Sequence, residues 1–102
     1  MKRQVIFAPE ARDDLLSLYS YIAAQSGPLT ALGYIDRIEE YCRGFDLASE
    51  RGAIRNDIRP GLRTVGFERR ITISFHVATE TVTIERIFYA GRDVDHILRS
   101  DD

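Results

Sequence analysis

The sequence predicts an α+β protein in which two helices pack on a sheet built mainly from the second half of the chain. Apolar residues in the first half recur every three or four positions, which is typical of amphipathic helices. Those in the second half alternate with polar residues, which is typical of strands. The length of 102 residues suffices for one core, so we expect a single domain over residues 1–102.

The first half of the chain contains a short extended segment, residues 4–7, followed by two helical patterns. Proline suits the first turn of a helix, and the apolar stripe after Pro9 predicts a helix over 10–25; its members are Ala11, Leu15, Leu18 and Ile22. Gly27-Pro28 interrupts this pattern. A second stripe then predicts a helix over 29–48; its members are Leu32, Ile35, Ile38, Cys42 and Phe45. The short connection predicts an antiparallel helical hairpin.

The second half predicts three strands joined by short turns. Residues 49–61 have no clear period and contain two glycines and a proline, so we expect a loop. Strands are predicted over 62–67, 71–77 and 81–89, with Val82, Ile84 and Phe88 on one face of the last. Residues 93–99 predict a short helix capped by Asp93. The predicted order is β-α-α-β-β-β with a short C-terminal helix, the helical hairpin packing on a twisted antiparallel sheet.

Composition and motifs exclude several classes of function. The chain is 44% hydrophobic with a net charge of -2, which is typical of a globular domain rather than a disordered one. Cys42 is the single cysteine, so neither an internal disulfide nor a cysteine-based zinc site is possible, and its place on the apolar stripe predicts a core residue. His76 and His96 lack metal-ligand spacing, and no phosphate-binding glycine loop is present. We therefore expect no metal and no cofactor. With no signal peptide or membrane span recognisable, we expect a cytoplasmic protein.

Arginine is concentrated in the middle of the chain. Residues 51–70 carry six arginines against two acidic residues, whereas each flanking segment is net acidic. Such clustering predicts a surface for an anionic partner. Arg51, Arg55 and Arg59 recur every fourth residue, but the intervening glycine, asparagine and proline favour a solvated loop over a helix.

Three segments resemble the RelE/ParE toxin superfamily. The opening FAPEARDDLLSLYSYIA is similar to its first strand and helix, and PGLRTVGFERRITISFHV is similar to its Gly-x-Arg strand and following hairpin. The ending IERIFYAGRDVDHIL is similar to the ParE branch, in which a strand runs into a Gly-Arg-Asp turn and a short helix. The resemblance implies the toxin of a type II toxin–antitoxin module, with two helices on a twisted antiparallel sheet. ParE-like members inhibit DNA gyrase, whereas RelE-like members cut messenger RNA on the ribosome.

The nuclease alternative needs a base, an acid and a cation around one phosphate. The candidates implied by the resemblance are Arg63, at the Gly-x-Arg position, with Arg86 and Tyr89 near the end of the last strand. Lysine, abundant around RelE-like sites, is absent after position 2. Arg86 and Tyr89 are three residues apart, so a regular strand directs them to opposite faces. We therefore favour a non-catalytic gyrase inhibitor.

The inhibitor interpretation requires a binding surface, and its candidates are Arg63, Tyr89, Arg92 and Asp93. For three of them the alternative is a purely structural role. Arg92 and Asp93 would then only cap the last helix, and Tyr89 would be an edge aromatic residue with its hydroxyl in water.

The resemblance also implies a cognate, ParD-like antitoxin and hence a hetero-oligomer, with no membrane contact and no direct specific binding of nucleic acid. We expect the antitoxin to dock at an apolar groove with Leu18, Ile22, Ile35 and Ile38 at its margins, unless these residues simply form the core. A third alternative is an inactive family member that binds only the antitoxin.

Overall fold

A computed structural model describes residues 2–89 and 93–100 of the chain. The elements follow the order β1 (Gln4–Phe7), α1 (Pro9–Ser26), α2 (Pro28–Arg43), β2 (Ala53–Ile54), β3 (Leu62–Phe67), β4 (Ile71–Val77), β5 (Thr81–Tyr89) and α3 (Val94–Ser100). The predicted α+β class and the order of the predicted elements are confirmed.

The sheet has five strands in the order β1-β5-β4-β3-β2. The meander of β3, β4 and β5 is antiparallel, as predicted. β1 pairs with β5 in parallel, so the sheet is mixed rather than purely antiparallel. Periodicity identifies a strand but does not specify a neighbour more than 70 residues away. Both helices and the strands β2, β3 and β4 lie between β1 and β5 in the chain.

Each of the two long helices begins with proline in its first turn. Between them Gly27 has a φ of 94°, a value that side chains disfavour. α2 ends at Arg43, earlier than the predicted 48, because a 3-10 turn over Gly44–Asp46 replaces its last turn and directs Phe45 into the core. Leu32, predicted to lie on the apolar stripe, is about half exposed; Ala31 is buried instead.

The sheet separates two apolar clusters. The larger one fills the space between the helical hairpin and the sheet, and it includes Leu18, Ile38, Phe45 and Phe75. The smaller one lies where α3 covers the opposite face; its buried members are Leu62, Phe88 and Leu98.

A register shift between β4 and β5 corrects the predicted faces of β5. Ser74 pairs with Arg86 but Phe75 pairs with Ile84, so Glu85 is the extra residue of a β-bulge. Val82 and Ile84 consequently face the helices, whereas Phe88 faces α3. The prediction that these three share one face was wrong, because a bulge resets the alternation of side chains.

The predicted loop 49–61 contains the two-residue strand β2, which pairs with Thr64 and Arg63 of β3. Gly52 enters this strand with a φ of 74°, and a Cβ atom there would lie 2.2 Å from the carbonyl oxygen of Thr64. Only glycine allows so close an approach of the two backbones. A strand this short leaves no periodic pattern in the sequence.

Candidate functional site

The structure separates the residues proposed to contact a target. Arg63 on β3 pairs with Phe75, whereas Tyr89 on β5 pairs with Ile71. Phe75 and Ile71 are four positions apart on β4, which corresponds to about 13 Å along the strand. Arg63 and Tyr89 therefore lie in different clefts on the helix side of the sheet.

Arg63 lies in a cleft of about 570 Å³ at the end of the sheet near the turn between β4 and β5. Its Nη1 donates a hydrogen bond of 3.2 Å to the carbonyl oxygen of Arg51. Arg3 lines the same cleft, and its Nε donates to the carbonyl oxygen of Ala78 at 2.9 Å. Both arginines are partly buried and have backbone partners that fix their positions.

Tyr89 lies in a second cleft of about 330 Å³, where α1, α2 and the tip of the β3–β4 hairpin meet. Its ring centroid is 5.6 Å from that of Tyr21. Tyr34 lines this cleft too, and burial, with a smaller effect of Glu68, raises its pKa above the usual value. A tyrosine whose pKa is raised stays protonated at neutral pH and does not act as a base.

One wall of the tyrosine cleft is an ion pair between α2 and the hairpin tip. Arg37 donates Nε and Nη2 to the two carboxylate oxygens of Glu68, at 3.1 and 3.2 Å. Glu68 and Arg69 have φ values of 50° and 66°, which non-glycine residues seldom adopt. These two residues lie in the short turn between β3 and β4, whose bounds match the predicted strands 62–67 and 71–77.

Asp93 acts as the cap of α3. Its Oδ1 accepts a hydrogen bond of 3.2 Å from the backbone N–H of His96, the interaction that satisfies the first turn of a helix. Arg92 lies outside the described residues.

Arg86 is held by a partner that sequence analysis missed. Its Nε and Nη2 donate to the two carboxylate oxygens of Asp14 on α1, at 2.9 and 3.0 Å, and its guanidinium lies over the ring of Phe88. The side chains of the pair are only 16% and 13% exposed. The expectation that Arg86 and Tyr89 point to opposite faces is confirmed by their partners Ser74 and Ile71. Arg63, Arg86 and Tyr89 therefore do not converge on one point.

The arginines of the middle segment are less available than a solvated loop implies. Arg55 donates to Asp57 and Asp95, and Arg59 donates to Glu85 and to the carbonyl oxygen of Leu98. Arg51 lies over the rings of Phe45 and Tyr41. The prediction of a solvated loop is corrected, because acids from β5 and α3, distant in sequence, neutralise two of the three arginines.

The residues expected to meet the antitoxin lie mostly in the core. Leu18, Ile22 and Ile38 are buried, and Ile35 is partly buried against them. The alternative that they form the core therefore holds for the first three, since both helices direct this stripe at the sheet. The exposed apolar side chains on the two helices are Leu16, Tyr21, Leu29 and Leu32.

Two further side chains that carry potentially reactive groups are Cys42 and His76. Cys42 is buried, as predicted, and burial raises the pKa of its thiol to about 12. His76 is half exposed, with Nδ1 3.7 Å from Glu85. Over residues 2–89 and 93–100 no set of three metal-ligating side chains converges, and no helix has the length and apolarity to cross a bilayer.

Fold and side-chain placement thus define a small α+β domain in which one cleft carries Arg63 and another carries Tyr89. Residues 5–94 match the family described as ParE toxin of type II toxin-antitoxin system, parDE, and the chain belongs to this family. A solved structure, titled "Chromosomal ParDE TA system from P. aeruginosa", is 27% identical to the chain with a TM-score of 0.76. The alignment covers 86% of this chain and 96% of that one. Among curated proteins none matches significantly. The resemblance to the RelE/ParE superfamily, on its ParE branch, is confirmed.

Proposed function

We propose that this ParE-family toxin inhibits DNA gyrase by binding it, without breaking a covalent bond, and that a ParD-like antitoxin neutralises it in the cytoplasm. Family membership supports the toxin–antitoxin assignment. The solved relative is titled as a ParDE system, which favours a ParD-like partner here.

The separation of the three candidate catalytic groups is the observation that carries the non-catalytic proposal. Cleavage by a ribose hydroxyl needs its base, acid and cation within hydrogen-bond reach of the same phosphate. Arg86 forms a bidentate ion pair with Asp14. The partners of Arg63 and Tyr89 on β4 are four residues apart. An inhibitor needs only a surface that binds one state of its target more tightly than the others.

The proposed gyrase-contacting residues are Arg63, Tyr89, Arg92 and Asp93. Arg63 and Tyr89 would contact the target at separate clefts. Asp93 would contribute indirectly, through α3, because its side chain caps the first turn of that helix. Arg92 follows from the resemblance of the Gly-Arg-Asp turn alone.

The antitoxin is proposed to dock on the helical hairpin, at the stripe of Leu18, Ile22, Ile35 and Ile38. Because three of these side chains are buried, contact would be made at the margin of the stripe, through Ile35 and exposed neighbours such as Leu29 and Leu32. Burial of such leucines is the usual source of affinity in helix recognition.

Induction of the chain in cells that lack the antitoxin tests this proposal. We expect growth arrest with DNA-break signalling and loss of plasmid supercoiling, reversed by co-expression of the antitoxin. Arrest with cleaved messenger RNA and intact DNA would support the RelE-like alternative instead. Normal growth, with antitoxin binding retained, would identify an inactive family member.

A further inference from the structure

Nine arginines among the described residues fall into two groups according to what they contact. Six of them donate to carboxylates: Arg37, Arg43, Arg55, Arg59, Arg86 and Arg99. Three others, Arg3, Arg51 and Arg63, are partly buried, and among the described residues they pair with carbonyl or hydroxyl oxygens and aromatic rings instead. A partly buried guanidinium ordinarily has an anionic partner, because desolvation disfavours an uncompensated charge.

These three arginines line two adjoining clefts. A cleft of about 500 Å³ is bounded by Arg3, Glu50 and Arg51, and the cleft that contains Arg63 is bounded by the same Arg3 and Glu50. The two clefts therefore adjoin along the segment that precedes β2. We refer to these two adjoining clefts, lined by Arg3, Arg51 and Arg63, as the arginine groove.

The guanidinium groups of the groove are fixed in place before any ligand binds. Arg51 donates Nε to the carbonyl oxygen of Ala48 at 2.6 Å, and its Cζ lies 4.8 Å from the ring centroid of Phe45. Arg3 donates Nη1 to the hydroxyl of Ser49 at 2.9 Å. Each guanidinium has five N–H donors, so these contacts leave several donors for an external acceptor. Donors that are already positioned lose little entropy on binding.

The surroundings of the groove favour a peptide carboxylate over a nucleic-acid backbone. Leu47 and Ile54 flank it and are 71% and 53% exposed, which offers apolar contact to side chains. Glu50 lines both clefts, and its negative charge opposes carboxylates and phosphates alike, so the preference for a peptide comes from the apolar side chains. In the described sheet β2 is an edge strand, and such an edge accepts an extended segment through backbone hydrogen bonds.

We propose that the arginine groove binds an extended acidic segment of a partner protein, with carboxylates on Arg51 and Arg63 and alternate apolar side chains on Leu47 and Ile54. This inference deepens the proposed function at Arg63, and it rests on that function only in assuming that the toxin works through protein partners. It does not depend on gyrase being one of them.

A direct binding measurement tests the inference without gyrase or antitoxin. The probe is a short fluorescein-labelled peptide of alternating glutamate and leucine, and fluorescence anisotropy gives its affinity for the purified chain. We expect saturable binding, and binding at least tenfold weaker for the glutamine-leucine analogue, because hydrogen bonds to charged groups contribute roughly twice as much as neutral ones. In NMR spectra the guanidinium Nε–H signals of Arg51 and Arg63 are expected to shift.

Substitutions of individual arginines show where on the chain the peptide binds. R63Q and R51Q are each expected to weaken binding roughly tenfold. The matched control is R69Q/R70Q at the hairpin tip, which removes exposed arginines that pair with no carboxylate in the described part of the chain. This control is expected to bind the peptide as the native chain does. R63K, which preserves the charge, keeps the variant set informative if R51Q fails to fold.

Three results would overturn the inference. The first is equal affinity for the glutamate and glutamine peptides. The second is an equal loss of binding in R63Q and in the hairpin-tip control. The third is displacement of the peptide by a thymidine oligonucleotide that binds more tightly and depends on the same arginines, which would assign the groove to nucleic acid. Because gyrase is absent from the assay, none of these results bears on gyrase inhibition.

Discussion

Asp14 on α1 and Arg86 on β5, 72 residues apart, form a bidentate ion pair at the place where β1 ceases to cover the edge of β5. β1 ends at Phe7, opposite Ile84. Beyond that point the carboxylate of Asp14 also accepts the backbone N–H of Ile87 at 2.8 Å. One side chain thus replaces the missing strand and fastens the first helix to the sheet.

Replacement of Asp14 by alanine is expected to destabilise the fold strongly. The change removes the carboxylate that accepts from the largely buried guanidinium of Arg86 and from the backbone N–H of Ile87, and the loss of one partner of a buried pair costs about 3–5 kcal/mol. Urea unfolding monitored by circular dichroism measures the free energy of unfolding.

D13A is the matched control, since Asp13 is the preceding residue on α1 and is exposed. Its free energy of unfolding is expected to change by no more than about 0.5 kcal/mol. Similar losses for the two variants would contradict the role given to the Asp14–Arg86 pair.

Replacement of Gly52 by alanine is expected to reduce the free energy of unfolding by more than about 1 kcal/mol, because the new Cβ would lie 2.2 Å from the carbonyl oxygen of Thr64 at a positive φ. Gly44 has a helical φ of -65° and no atom within 4 Å of an added Cβ. G44A is therefore expected to be neutral or stabilising. Thermal or urea unfolding of the two variants compares them directly, and equal stability would refute the close approach at β2.

Lowering the pH is expected to destabilise α3 over a defined pH range. Hydrogen bonds from Arg55 lower the pKa of Asp57 from 3.8 to about 2 and also lower the pKa of Asp95. Since the folded pKa values are depressed, the stabilisation is complete above about pH 4 and is lost as the pH falls towards 2. The carboxyl NMR signals of Asp57 and Asp95, with amide exchange in α3, report this transition.

The variant R55Q provides the comparison for the acid experiment. Without the guanidinium, both carboxyls should titrate nearer their ordinary values, and α3 should exchange faster even at neutral pH. R43Q removes an arginine that pairs with Glu40 on the surface of α2, far from α3 in sequence, and should leave α3 unchanged. A midpoint near 3.8 for Asp57 in the native chain would contradict the assignment.

The thiol of Cys42 is expected to be inert in the folded chain. It is fully buried, and burial raises its pKa to about 12, so almost no thiolate exists at pH 8. A disulfide reagent such as DTNB should react slowly with the native protein and at once in urea. Rapid reaction under native conditions would show that the helix–sheet core opens readily.

Much of the fold is predictable from local sequence patterns. The apolar spacing after Pro9 and the alternation from Ile71 to Val77 are strong enough to fix both helices and the central strand. The bulge at Glu85 is harder to predict: the alternation breaks there, where Glu85-Arg86 precedes three apolar residues, but the extra residue is defined only by its partner strand. The two-residue strand β2 likewise exists only through its pairing with β3.

The candidate site was less predictable than the fold, since pairing partners are distant in sequence. Arg55 reaches Asp95 across 40 residues and Arg59 reaches Glu85 across 26, so the basic cluster seen in the sequence is partly neutralised in the structure. Arg3, near the start of the chain, joins Arg63 in the arginine groove, and no local pattern distinguishes it.

The proposed inhibition of gyrase can be measured in a supercoiling assay with purified gyrase and relaxed plasmid, in the presence of increasing amounts of the chain. We expect dose-dependent loss of supercoiling with accumulation of cleaved plasmid, reversed by a ParD-like antitoxin, while transcripts on translating ribosomes stay intact. Cleavage of those transcripts by the same preparation, with gyrase turnover unchanged, would contradict it.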